Sequence, residues 1–448
     1  MIKLTTLTLL QSQKSLTLKT KILISFFAIV ICLATLDPAN AQSKRKIEKI
    51  FKASEIVNNH YTGFALYDPA KNKMVYELDA NKPAIPASNT KLITLYTALN
   101  MLGDSIPGLR YITKGDSLIF WGTGDPSMLH PDLKSTKVYD FLNNSGKKLF
   151  YSHSNASTDF VGSAVYTIAM VSLPVGVNTA QAYPGPDGKV QLKPEFLNAY
   201  LKLDTSYHPS SFSVRRDERT NTFGYPAMSI PANFRQTVYL VPGAKLTQQT
   251  LSEVLGKPVN LTNMALPATA KTVYSIRADS LYKRMMLPSD NYLAEQILYI
   301  CSSTLPGPLS VEAAIEHSSK NYLTDLPDLF QWSDGSGLSR NNYFSPRSIV
   351  KMLIKIRDKV GDEQRLLNMF PVGGISGTLR TAFKTDNGVP FVWAKTGTLS
   401  NVRIQGGYLV TRKGKKFIYS FMNNNFLIPT ADISNEMVRI MTMIHEKY

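Results

Sequence analysis

Only two cysteines occur in 448 residues, Cys32 and Cys301, and their scarcity shapes what can hold the protein together. Cys32 lies in the N-terminal apolar run Ile22–Leu36. If that run is removed, one thiol remains and no internal disulfide can form, so the fold must rest on its cores. The six histidines (60, 130, 153, 208, 317, 445) show no metal-ligand spacing, so no metal or other cofactor is expected. Long hydrophobic runs are also lacking. About fifteen apolar residues at 22–36 fall short of the roughly 20 that span a bilayer. Lys14, Lys19 and Lys21 precede the run, and Ala39 and Ala41 follow it in a small-x-small pattern. Residues 1–41 therefore read as a signal peptide cleaved before Gln42, and the expected location is periplasmic or cell-envelope. Acidic residues are under-supplied, 33 against 50 Lys and Arg, for a net charge of +17. Loss of residues 1–41 removes four Lys and one Asp and leaves +14. Export and the absence of a basic run interleaved with aromatics exclude a nucleic-acid groove, whereas an anionic wall or membrane environment suits a basic surface.

What is present is ample core material: 44% hydrophobic residues with 10% aromatics, over a length that suggests two or three domains. "TGFALYDPAKNKMVYEL" reads as two strands around the turn Asp68–Asn72. "SNTKLITLYTALNMLG" is apolar on nearly every face from Leu92 to Leu102 and stops at Gly103, the pattern of a buried central helix. Residues 104–275 change texture, with frequent Gly, Pro, Ser and Asn and short strand-like pieces, and read as an inserted, mostly-β region. Long helices return at "SDNYLAEQILYICSS" and "SPRSIVKMLIKIRDKV". Near the end, "GGYLVTRKGKKFIYSFM" forms a hairpin about Lys413-Gly414. Ile433, Met437, Ile440, Met441 and Ile444 then share one helical face. The expected fold is α/β (α+β). Residues 42–103 and 276–448 build one antiparallel sheet flanked by helices, interrupted by 104–275. No internal repeat is visible.

Five Ser-x-x-Lys strings begin at Ser43, Ser88, Ser145, Ser280 and Ser348. Only Ser88 opens the buried helix, where residues three apart share a face and backbone N–H groups favour negative charge. Two further strings complete a set: Ser289-Asp290-Asn291 at the head of a helix, and Lys395-Thr396-Gly397-Thr398 ending an apolar strand. Taken singly, these residues would serve as helix caps or a solvated strand end. Taken together they divide a reaction among them. Ser88 needs a base to become a nucleophile. Lys91 can be that base if burial or a second cation, Lys395, lowers its pKa. Ser289 would relay the proton to the leaving amine, and Asn291 would hold the substrate's peptide group. Lys395, Thr396 and Thr398 would bind a substrate carboxylate, and the N–H groups of Ser88 and Thr398 would form an oxyanion hole. Gly397 would let a ligand backbone approach the strand edge. Cys301, in an apolar helix, reads as core.

The trio occurs in this order in penicillin-binding proteins and class A β-lactamases. With "PASNTKLIT", "WGTGDPSM", "SDGSGLSRNNYFSP", "GGISGTLR" and "WAKTGTLSNVRIQGGYLV", the chain resembles D-alanyl-D-alanine carboxypeptidases/endopeptidases of the class C low-molecular-mass penicillin-binding proteins. The likeness covers about residues 60–130 and 275–425. It implies a serine hydrolase that takes peptidoglycan stem peptides through an acyl-enzyme at Ser88 and is inhibited covalently by β-lactams. A β-lactamase and a non-catalytic peptidoglycan-binding protein are the alternatives. No counterpart of the class A deacylating glutamate is evident, and a pure binder needs no complete Ser, Lys, Ser, Asn, Lys set. The family carries extra domains after its Ser-x-x-Lys helix. Here 197 residues separate Lys91 from Ser289, short for the full insert, which implies a reduced or missing third domain.

Overall fold

The structure, a computed structural model, describes residues 38–156, 160–163 and 166–448. The apolar run assigned to the export signal lies outside them. The chain divides into two units, 1–54 and 55–448. Of the first, helix α1 (Pro38–Lys52) is described, and the cleavage point expected from the sequence would fall after its first four residues. No described helix is long and apolar enough to cross a membrane.

In the second unit, α2 (Glu55–Asn58) leads into the hairpin β1 (Tyr61–Asp68) and β2 (Lys73–Leu78). A 3-10 turn at Ala87–Asn89 runs directly into α3 (Thr90–Met101). Segment 105–277 then builds separate sheets. β3 (Ser105–Lys114) and β4 (Ser117–Gly122) form a hairpin, and α4 (Lys137–Asn143) crosses to β5 (Lys148–Ser152), parallel to β4. β6 (Phe160–Ser163) and β7 (Tyr166–Ala169) make a ribbon. β8 (Thr179–Pro184) pairs with β9 (Val190–Lys193) on one side and β13 (Gln236–Tyr239) on the other, while β10 (Leu201–Leu203) and β11 (Arg215–Arg216) flank β12 (Phe223–Tyr225). α5 (Ala244–Leu255) leads to β14 (Val259–Thr262), parallel to β5, and β15 (Lys271–Arg277) completes a sheet ordered β14-β5-β4-β3-β15.

The insert is mostly β, as expected, with two α-helices that the composition did not announce. Two parallel pairs need crossover helices, and α4 and α5 supply them. Their apolar positions are few, Leu246, Leu251 and Leu255 on α5 for example, which is why the composition masked them. Two apolar cores form here. One lies on the five-stranded sheet around Phe120, Tyr151 and Leu251, and the other around Ala182, Leu192, Phe223 and Val238.

The chain returns through α6 (Ala278–Met286), α7 (Asn291–Ser302), α8 (Val311–Asn321), α9 (Pro346–Val360) and α10 (Glu363–Leu367). β16 (Val392–Leu399), β17 (Val402–Val410) and β18 (Lys416–Asn424) follow, then α11 (Thr430–Lys447). The main sheet runs β16-β17-β18-β1-β2, antiparallel throughout, with β1 from the start of the chain seated against β18 from its end. β1, β17 and β18 are buried almost continuously, as strands between two covering layers must be. α9 packs on β18, β1 and β17, and α11 on β17 through the five buried residues of its expected face. α3 sits between α9 and α7, buried nearly all round.

Burial predicts where substitution hurts. Leu95→Ala opens a cavity in the fully enclosed α3 and is expected to destabilise by about 2–5 kcal/mol, read as a lower denaturant midpoint. Tyr239, 74% exposed on the insert, should tolerate Ala within about 0.5 kcal/mol.

Candidate active site

The turn before α3 sets the nucleophile. Ala87 has φ +43°, in the left-handed region, and Ser88 follows it half-buried, with its hydroxyl directed at Lys91 rather than at a backbone cap. Thr90 Oγ1 donates to the Ala87 carbonyl and fixes the turn. Gly337, at φ +82°, packs so closely here that a Cβ would lie 1.9 Å from the Ala87 oxygen. Gly397 does the same from the other side, with a Cβ position 2.9 Å from the Pro86 oxygen and 3.0 Å from the Ser88 nitrogen. The absent side chain at Gly397 thus admits the chain's own turn.

Lys91 is fully buried. Its Nζ donates to Asn291 Oδ1 and to the Ser336 carbonyl at 2.7 Å each, and meets Ser88 Oγ at 3.1 Å. An ammonium would fill all three contacts. A neutral amine fills the two short ones and turns its lone pair to the serine. Burial lowers the Lys91 pKa to about 8, against the pull of the Glu295, Asp334 and Asp290 carboxylates. A second cation is not what lowers it. The repulsion falls instead on Lys395, held well below its ordinary value by burial, then by Lys91 and Arg403.

Lys395 is not a solvated strand end. It is buried and donates to Ser289 Oγ at 2.7 Å and to the Thr396 carbonyl at 2.6 Å. Ser289 adopts φ +63°, a second strained non-glycine residue at the site. The cap of α7 is neither Ser289 nor Asn291 but Asp290, whose carboxylate accepts from the Leu293 N–H. Both neighbours are thereby free to face Lys395 and Lys91. Arg284 binds Asp290 and also Asp132 of the insert, fastening the motif from behind. Thr396 Oγ1 donates to Thr378 Oγ1 at 2.7 Å, and Thr398 is exposed at the strand end. In two of the other Ser-x-x-Lys strings the lysine is engaged elsewhere: Lys148 pairs with Asp116 and Lys351 with Asp325. Cys301 is buried in α7, and burial raises its thiol pKa.

Several participants were not anticipated from the sequence. Glu295, enclosed in α7, accepts the Gly335 and Ser336 N–H groups at 2.7 Å each, so it holds the carbonyl that binds Lys91. Asp334 accepts from Gly337, Ser339 and Asn342 and braces the same loop. The Asp-Gly pair does mark a turn, and the turn serves the site. The available signal was a lone acid in the apolar string "YLAEQILYI". Burial, and then Asp334, raise the Glu295 pKa. Among the described residues no group of His, Cys, Asp or Glu is gathered to hold a metal.

A sequence model of the family described as D-Ala-D-Ala carboxypeptidase 3 (S13) matches residues 43–149 and 259–447, about two thirds of the chain, and leaves out the second insert core. Penicillin-sensitive carboxypeptidase A of Dictyostelium discoideum is 22% identical over 447 aligned positions, covering 85% of each chain. D-alanyl-D-alanine carboxypeptidase DacB of Haemophilus influenzae is 27% identical over 51% of this chain and 44% of that protein. Among solved structures, penicillin binding protein 4 (dacB) from Haemophilus influenzae superposes with a TM-score of 0.66 at 18% identity, over 89% of this chain and 99% of that one.

The base must be neutral to accept a proton, so acylation of Ser88 by an activated ester should rise with pH around a midpoint near 8. Glu295→Gln removes a charge that keeps the proton on Lys91, and should move that midpoint to lower pH. A rate that is flat from pH 6 to 10 would contradict the assignment.

Proposed function

The chain belongs to the D-Ala-D-Ala carboxypeptidase 3 (S13) family and is a serine-type D-Ala-D-Ala carboxypeptidase of the penicillin-binding kind, and from that premise we propose that Ser88 is its nucleophile and Lys91 its base. The observation that carries this is the 3.1 Å contact between Ser88 Oγ and a buried lysine whose other two acceptors are already engaged.

The reaction follows from the geometry. Ser88 Oγ attacks the carbonyl carbon between the two D-alanines as its proton passes to neutral Lys91. Ser88 N–H and Thr398 N–H receive the oxyanion; the Gly397 backbone lies against the Ser88 nitrogen, which brings strand β16 to the required place. The proton moves on through Ser289, held by Lys395, to the departing amine. The C–N bond breaks, terminal D-alanine leaves, and water then releases the acyl group from Ser88. Asn291 accepts from Lys91 through Oδ1, which leaves its NH₂ for the substrate's peptide oxygen. Thr396, Gly397, Thr398 and Lys395 form the carboxylate end. A cross-link is cut by the same steps when the departing amine belongs to a second stem peptide. In a β-lactam the departing amine stays tethered to the acyl group, so the adduct persists. Residues 1–41 act as a cleaved export signal, and the enzyme works in the periplasm or cell envelope, in keeping with its basic charge.

Labelled penicillin should give a long-lived adduct at Ser88 by mass spectrometry, absent in Ser88→Ala, with D-alanine release falling at least about a thousand-fold. Lys91→Arg, whose guanidinium stays protonated, should lose acylation as well. Rapid penicillin turnover would mark a β-lactamase instead, and no adduct at all a non-catalytic binder.

A further inference from the structure

Arg403 stands one strand away from the nucleophile turn and has no counter-ion among the described residues. The β16–β17 register sets it directly across from Thr398, and its Nη1 donates to Thr398 Oγ1 at 2.6 Å. The residue is half-buried. Three other partly covered arginines of the described chain meet carboxylates, Arg284 with Asp290, Arg347 with Asp328 and Arg365 with Asp279, whereas Arg110 and Arg216 donate to backbone carbonyls far from the site. No such pair forms at Arg403 among the described residues, and burial pulls its guanidinium below its ordinary value.

Its charge is felt by Lys395, whose own bonds go to two neutral oxygens, Ser289 Oγ and the Thr396 carbonyl. Two covered cations thus face one strand end with no anion between them. Such an arrangement is costly unless a ligand brings the missing charge. A guanidinium carries five N–H donors in a planar fork suited to a carboxylate, and the hydroxyl of Thr398 engages one. Thr398 itself is exposed, so the strand end is open to an incoming molecule.

We propose that Arg403 is a further specificity-determining residue, which takes the free carboxylate on the leaving side of the substrate together with Lys395, Thr396 and Thr398. The proposal rests on the acyl-transfer reading of the site. Arg403 then selects acids over neutral C-termini by supplying a charge that only an anion can match, while Lys395 remains committed to Ser289.

The test is a pair of substrates, an acyl-D-Ala-D-Ala peptide and its C-terminal amide, assayed with wild type, Arg403→Ala and Arg403→Lys. For the acid, Arg403→Ala should lower kcat/KM by about ten- to a hundred-fold, mainly through KM. The amide should change less than about threefold, so that the acid-to-amide preference collapses. Arg403→Lys should restore part of that preference. Parallel losses on both substrates, or an unchanged ratio, would overturn the proposal by reducing Arg403 to a support for Thr398. An uncharged activated ester separates the two readings. If it labels Ser88 and the ratio is unchanged, this inference alone falls. If it fails to label Ser88 in wild type, the active-site reading falls and takes this inference with it.

Discussion

Everything at the site is arranged around one amine removed from water. Lys91 lies in the apolar interior beneath α3, where an ammonium is expensive, yet it is surrounded by oxygens that favour one. The balance leaves it near the point at which a proton can be taken and returned. Three separate chain segments deliver those oxygens: Ser88 from the turn, Asn291 from the head of α7, and the Ser336 carbonyl from the loop before α9. Each is in turn fixed by another group. Thr90 holds the turn, Asp290 caps α7, and Glu295 holds the loop. Two residues with positive φ, Ala87 and Ser289, show that the surrounding packing overrides local preference here.

The charges separate into two neighbourhoods. On the inner side, Glu295 and Asp334 are satisfied largely by backbone N–H groups, so they act on Lys91 through space without forming an ion pair with it. On the outer side, Lys395 and Arg403 lack any such compensation. The base therefore sits between buried anions that hold its proton and cations that a substrate must answer. This gradient points from the interior to the open strand end, the direction along which an anionic substrate would enter.

Much of this was legible in the sequence, for identifiable reasons. The main sheet and its covering helices announce themselves through continuous apolar strands and a five-residue helical face at Ile433–Ile444. The five Ser-x-x-Lys strings could be ranked because only Ser88 opens a buried helix. What stayed hidden depends on distance in the chain. Glu295 and Ser336 are 41 positions apart and meet through a bond to a backbone N–H. A carbonyl contact to Lys91 leaves no trace in residue identity, since every residue has a carbonyl. Arg403 looked like one more cation in a basic chain until the strand register set it against Thr398. Gly397 was recognised as a place of close approach, but the partner was invisible without the fold. The insert helices α4 and α5 were missed because α4 is only seven residues long and the buried face of α5 carries threonines.

The seating of β1 against β18 joins His60 to Asn423, 363 positions apart. A sheet of this kind cannot be completed until synthesis is nearly over, because β1 waits for the central strand β18, the last to be made. Contacts so remote in sequence are closed slowly. Lys395 belongs to that late-arriving hairpin, whereas Ser88 and Lys91 are made early. A partly synthesised chain thus holds the nucleophile without the groups that complete its surroundings. Topology alone acts as a timer, leaving the site incomplete until the whole chain has been made.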